Sequence, residues 1–134
     1  MHNDVFCKII RGEIPSYKIY EDADVLAILD ISQVTKGHVL VMPKEHYENF
    51  LSTPQEVMHK VMNIAQRIGQ VQIKMLGAKG VNILSNAYEA AGQTVMHFHV
   101  HVIPRYESND NFHLEMKENN ESLNLPAIAD KIKL

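Results

Sequence analysis

The sequence predicts an α+β fold, in which a five-stranded, mainly antiparallel sheet packs one face on a single long helix and has short helices at its ends. Three observations predict it. Strand-like segments follow one another as a meander, separated by acidic, glycine or proline turns. One segment of about five turns repeats its apolar residues at helical spacing. The last strand-like run, Met96 to Ile103, alternates histidine with apolar residues, a period of two.

Taken in order, Asn3 or Asp4 is placed to cap a short helix through Ile10, which Gly12 and Pro15 end. Tyr17 to Glu21 and Val25 to Leu29 are expected as strands joined by the turn Asp22-Ala23-Asp24, with Asp30 directly after the second. Lys36-Gly37 is a turn, and His38 to Met42 a third strand that Pro43 stops. Thr53-Pro54-Gln55-Glu56 has the form of a capping box with proline at the first helical position. The helix it opens carries Val57, Val61, Ile64, Ile68, Val71 and Met75 on one stripe, which belongs against the sheet, and it ends near Gly77. Gly80 to Asn86 is expected as the fourth strand, Ala87 to Gln93 as a loop, and Val95 to Pro104 as the fifth strand. Beyond Arg105 the chain turns polar, with a last helix from Pro126 to Lys133.

With 134 residues, 46% hydrophobic and 22% charged, the chain has the make-up of one soluble globular domain, residues 1–134. A net charge of -3 gives no basic footprint, which argues against nucleic acid as a partner. No apolar stretch is long enough to cross a bilayer, and the charged opening Met1 to Pro15 lacks the apolar region of a signal peptide. Cytoplasm is the expected location. A single cysteine, Cys7, leaves no internal disulfide framework.

The histidine run carries the chemistry. On a strand, His97, His99 and His101 point one way at about 7 Å intervals, and Met96, Phe98, Val100 and Val102 point the other. A lone strand histidine is usually structural, but three in strict alternation are costly to bury without a use. Two uses fit: transition-metal ligation, or catalysis with one imidazole as nucleophile and the others as supports. The neighbours favour the second. Asn86 and Gly92-Gln93-Thr94 are neutral groups suited to an anionic oxygen, and the only carboxylate close in sequence is Glu89.

These residues resemble the histidine triad (HIT) superfamily, whose signature alternates three histidines with apolar residues and closes on two apolar residues. His97-Phe98-His99-Val100-His101-Val102-Ile103 matches it in full. The likeness also covers Phe6-Cys7-Lys8-Ile9-Ile10, Glu13-Ile14-Pro15, Tyr20-Glu21-Asp22, Leu29-Asp30-Ile31-Ser32, Gly37 to Lys44 and Gly92-Gln93-Thr94-Val95. It spans a core of about 4–106, leaves 107–134 as a variable tail, and is greatest for the short bacterial proteins of the Hint branch.

The resemblance implies a HIT-like fold whose sheet continues across a homodimer. It implies a hydrolase acting at the α-phosphorus of purine nucleoside phosphoramidates or related nucleotidyl conjugates. In that reading His99 is the nucleophile and forms a nucleotidyl-histidine, and His101 donates to a phosphate oxygen. His38 and His97 support the cluster. Asn86, Gln93 and Thr94 hold the phosphate and leaving group, Asp30 takes the ribose hydroxyls, and Phe6, Ile9, Ile28 and Ile31 line the base pocket. No metal is required for the chemistry. Related nucleotidyltransferases carry glutamine at the last triad position, so His101 favours hydrolysis.

Many bacterial relatives hold structural zinc through Cys-x-x-Cys and two histidines, and the matching positions here are Asp4, Cys7, His46 and His97. One cysteine is thus replaced by aspartate, a set still open to zinc. The bland alternative is that Asp4 caps the first helix and Cys7 is a small buried residue. The resemblance also implies that the tail, Asn109 to Leu134, reaches toward a partner's active site. The rival readings are dinucleoside polyphosphate hydrolysis, a nucleotide-binding scaffold with incidental activity, and a metal-binding module.

Overall fold

The computed structural model of the protein describes every residue except Met1 and Asn109. The elements are α1 (Val5–Ile10), β1 (Lys18–Glu21), β2 (Val25–Leu29), β3 (Val39–Pro43), α2 (Gln55–Leu76), β4 (Gly80–Leu84), β5 (Val100–Arg105) and α3 (Leu125–Ile132). The strands form one sheet in the order β1-β2-β3-β5-β4, and each neighbouring pair is antiparallel. The α+β class and the single long helix are as the sequence predicts.

The sheet separates two apolar layers. On one face α2 buries Val61, Ile64, Ala65 and Ile68 against Val25, Ala27, Val39, Val41, Phe98, Val100 and Val102. On the other, α1 lays Phe6 over Leu26, Ile28, Leu40 and Met42, with Ile9 and Ile10 packed beside them. Strand alternation assigns each residue to its layer, and fully burying one such side chain stabilises by about 1.5–3 kcal/mol. Both predicted ends of α2 involve backbone chemistry. Its C-terminus is closed by Gly77 in the left-handed region, φ 73°, as the sequence suggests.

Its N-terminus differs from expectation. The capping residue is Pro54, without a side-chain bond, and the Thr53 hydroxyl is turned away to donate to the Asn49 carbonyl at 2.7 Å. The reciprocal capping box belongs to Asn49 and Ser52, around the short 3-10 turn Phe50–Ser52. The predicted stripe also drifts: Val71 and Met75 are exposed, and Gln72 is buried in their place. Gln72 is held there because its amide donates to the carbonyls of Gly37 and Val102. Pro43 ends β3 as its last position, opposite Val25.

The largest correction concerns the histidine run. Regular strand begins only at Val100, so His97 and His99 precede it in an irregular segment. There the Phe98 amide bonds the Tyr47 carbonyl at 2.7 Å rather than a ladder partner. The alternation of faces survives, with Phe98 and Val100 on the α2 side. The spacing contracts: the His99 and His101 ring centroids are 5.1 Å apart.

From His113 to Leu134 every residue is exposed, α3 included. The predicted tail boundary at Asn109 lies outside the described residues. Among the described residues, no helix is long and apolar enough to cross a membrane.

Candidate active site

The site lies on the α1 face, where β3 and β5 run side by side. Their register sets Leu40 opposite His101, and Leu84 of β4 faces His101 from the other flank. A cleft of about 210 Å³ opens there, lined by Phe6, Asp30, Asn86, Thr94, His99 and His101 among others. A larger apolar groove of about 350 Å³, walled by Ile19, Val39, Ile64, Ile68 and Met75, lies on the α2 side. It offers no nucleophile or acid–base pair.

Each imidazole of the cluster has a hydrogen-bond partner that fixes its tautomer. A carbonyl can only accept, so His99 Nδ1 must donate to its partner, the His97 carbonyl, at 2.7 Å. That leaves the Nε2 lone pair of His99 free. By the same argument His97 Nε2 donates to the Pro43 carbonyl at 2.9 Å, leaving its Nδ1 as the acceptor. The Val34 amide donates to His38 Nδ1 at 3.4 Å. His38 Nε2 therefore carries the proton and donates to His101 Nδ1 at 2.9 Å. This chain leaves His101 Nε2 protonated, a donor for an anionic oxygen.

Burial lowers the proton affinity of all four rings. Desolvation pushes His99 and His97 below the ordinary imidazole value, and it does the same to His38 against the pull of Asp30. His101 falls to about 4, through burial and then the neighbouring His99 and His38. A neutral His99 with a free Nε2 lone pair has the chemistry a nucleophile needs at neutral pH.

The surrounding groups meet expectation unevenly. Asp30 stands with its Oδ2 3.7 Å from His38 Nε2 while its Oδ1 accepts from the Ser32 amide at 2.8 Å. So a carboxylate does reach the cluster, and it is not Glu89. Asp30, His38 and His101 together could ligate a metal, but the ion would have to break the His38–His101 hydrogen bond. Asn86 lines the cleft and bonds the Gly92 carbonyl at 3.5 Å. Thr94 is exposed there. Phe6 and Ile28 are buried and Ile9 packs on them, whereas Ile31 is 86% exposed.

Gln93 departs from its expected role. Its Nε2 donates to the carbonyls of Glu48 and Val95, and its Oε1 accepts from the Tyr88 amide at 2.7 Å. With both ends of the amide engaged, Gln93 braces the loop and offers the cleft no free donor. The loop it braces holds Tyr88 at φ 70°, ψ 161°, a strained region for a residue with a Cβ. Sequence reasoning also passed over Ser85, whose hydroxyl donates to the His99 carbonyl at 2.8 Å. Nothing in local pattern marks it. His2 stacks on His46 at 3.8 Å between centroids.

Beside the cleft, Asp4, Cys7, His46 and His97 converge. Cys7 Sγ lies 3.2 Å from Asp4 Oδ2, 3.6 Å from His46 Nδ1 and 3.5 Å from His97 Nδ1. Asp4 Oδ2 lies 3.0 Å from His46 Nδ1 and 3.4 Å from His97 Nδ1. Zinc bonds of about 2.0–2.3 Å in a tetrahedron set ligand atoms roughly 3.3–3.6 Å apart, so the four residues fit such an ion. Burial, then the Asp4 carboxylate, pushes the Cys7 thiol up to about 11, so binding an ion there releases a proton. Burial opposes ionisation of Asp4, but hydrogen bonds from the Cys7 amide and thiol hold it below the usual carboxylate value.

Comparison with known proteins places this architecture. A HIT domain is matched over residues 11–108. A HIT family protein from Bacillus anthracis superposes with a TM-score of 0.89 at 46% identity, covering 97% of this chain and 94% of that one. A zinc-bound histidine triad family protein from Mycobacterium smegmatis superposes with a TM-score of 0.76 at 40% identity, covering 87% and 83%. The adenylylsulfatase HINT3 of Arabidopsis thaliana is 44% identical over 108 residues, 80% of this chain and 55% of that longer protein. The chain belongs to the HIT family.

Proposed function

We propose that the protein is a nucleotidyl hydrolase that cleaves purine nucleoside phosphoramidates, or related nucleotidyl conjugates, at the α-phosphorus. One observation carries this reading: His99 is half-buried, lowered in proton affinity by desolvation and held with Nδ1 on a carbonyl, so its Nε2 lone pair is free at the cleft beside the His101 donor. Membership of a family with hydrolase members, one of them an adenylylsulfatase, supports the reaction class.

The reaction is two displacements. His99 Nε2 attacks phosphorus as the bond from phosphorus to the leaving group breaks, and the amine or phosphate departs with a proton taken from water. Water then attacks the nucleotidyl-histidine and releases the nucleotide, so configuration at phosphorus is retained. His101 Nε2–H donates to a non-bridging oxygen, and Phosphoryl transfer of this kind depends mainly on positioning and charge stabilisation. Thr94 and Asn86 flank the leaving group, Asp30 accepts from the ribose hydroxyls, and Phe6, Ile9, Ile28 and Ile31 bound the base. When zinc is present at Asp4, Cys7, His46 and His97 it supplies a structural cross-link, and no step of the chemistry passes through it.

The test is a steady-state comparison of adenosine 5′-phosphoramidate with diadenosine polyphosphates. The proposal expects the phosphoramidate to have the higher kcat/KM by at least about tenfold, a 1.4 kcal/mol preference. Preference for the polyphosphate instead would establish the dinucleoside reading.

A homodimer is the assembly that the free edge of β4 supports. Its unpaired backbone lies beside exposed Ile83, with Met62 and Ile73 exposed on α2. Pairing two such edges continues the sheet and covers this apolar surface. Sedimentation velocity at micromolar concentration is expected to give twice the 15.3 kDa chain mass; a single-chain mass would remove the dimer.

A further inference from the structure

The four convergent ligands and the nucleotide cleft share a wall. Asp4 caps α1 with one carboxylate oxygen, Oδ1, which accepts from the Cys7 amide at 2.9 Å, while Oδ2 faces Cys7 Sγ, His46 and His97. Cys7 sits one turn further along. Between these two stands Phe6, buried, with its ring edge-on to His99 at 4.8 Å and to His97 at 6.0 Å. Phe6 also lines the cleft.

A helix of six residues does not persist in water without tertiary support. Beside the packing of Phe6 on Leu26, Ile28, Leu40 and Met42, whatever fixes Asp4 and Cys7 therefore steadies Phe6 further. A second link runs through His97: its ring faces the ligand set, and its carbonyl accepts the hydrogen bond from His99 Nδ1–H. Two short connections thus run from the four ligands to the proposed nucleophile, one through a side chain and one through the backbone. Asp4, Cys7, His46 and His97 come from three separate stretches of chain, so an ion joining them ties α1 to the end of β3 and to the triad segment.

We propose that occupancy of the Asp4–Cys7–His46–His97 site by a zinc-like divalent cation sets the nucleotide affinity of the cleft, so that cation and nucleotide bind with positive coupling. The inference rests on the nucleotide reading above and on the fit of the four ligands to the ion. The site is neutral overall when a dication meets one thiolate and one carboxylate. Coupling between two sites is reciprocal: the factor by which zinc tightens the nucleotide is the factor by which the nucleotide tightens zinc.

The experiment measures four dissociation constants on the full chain. Adenosine monophosphate binding is measured by calorimetry on zinc-loaded and chelator-stripped protein. Zinc binding is measured by competition with a chromophoric chelator, with and without saturating adenosine monophosphate. The expected result is about tenfold tighter binding in both directions, by the same factor, within the usual range of such couplings. Asp4→Asn separates the two jobs of that residue, because asparagine caps a helix as well as aspartate but is a poor zinc ligand. The variant is expected to keep α1 and to bind adenosine monophosphate in the presence of zinc as weakly as the stripped protein. Equal nucleotide affinity with and without zinc overturns the coupling and leaves the nucleotide reading standing. Tight zinc binding with no nucleotide binding overturns both, and failure to bind zinc at all overturns the coupling together with the metal site.

Discussion

His99→Ala is expected to lower the release of adenosine monophosphate from adenosine phosphoramidate by about 10⁴-fold or more, the scale of removing a nucleophile that acts within a unit. Among the described residues, no other imidazole presents a free lone pair to the cleft. His101 Nδ1 is occupied by His38, which leaves His101 with a proton to give rather than a lone pair. His97 turns its free nitrogen toward Cys7, away from the cleft. The variant keeps the His97 carbonyl and the Phe6 packing surface, so nucleotide binding should persist with at most a modest loss. Rapid-quench experiments on the wild type should trap a nucleotidyl-enzyme within the first turnover, and His99→Ala should trap none. Turnover within tenfold of wild type in a folded variant would sink the mechanism. His101→Ala should be milder, about 10²- to 10³-fold, because it removes one donor to the developing charge.

How far the sequence carries depends on whether a feature is local. The period-two run at His97, His99 and His101 assigns the two faces, since Phe98 and Val100 do enter the α2 core. It does not give the ring spacing, because the Tyr47 carbonyl draws the Phe98 amide out of the ladder. Thr53 reads as a cap, yet a carbonyl four residues earlier competes for its hydroxyl. Gln93 reads as a free donor, and only the folded loop reveals that Glu48, Val95 and Tyr88 consume its amide. Asp30 reaching His38, and His38 reaching His101, are meetings between distant stretches that no local pattern encodes. The Asp4–Cys7 spacing is visible in the chain. Their meeting with His46 and His97 came from family resemblance, and the geometry agrees with it.

Acidification should destabilise the fold well above the pH at which carboxylates titrate. His101 is the lever. In the unfolded chain it takes a proton near pH 6.5; in the fold, burial and the adjacent His99 and His38 lower that to about 4. Between those values the unfolded state binds the proton and the native state does not, so stability rises with pH across the window. The contribution is fully present above about pH 6.5, fades as pH falls, and is gone near pH 4. At 1.36 kcal/mol per pKa unit the upper bound is about 3 kcal/mol, and solvent screening of the partly exposed ring brings the contribution below that. His38 is shifted the same way by burial, which adds to the slope, and Asp30 acts against it. The carboxylates that the fold holds below their usual values, Asp22 and Asp110 among them, lose their contribution only at lower pH. Urea unfolding at intervals from pH 7.5 to 4.5 should therefore report the histidines, provided the m-value stays constant. His101→Gln, which cannot titrate, is expected to flatten the curve by about half or more. An unchanged slope in that variant would mean that the His101 ring is solvated in the native state. The same depressed proton affinity that makes the fold acid-sensitive favours a neutral cluster at pH 7, so the lone pair proposed to attack phosphorus is available there.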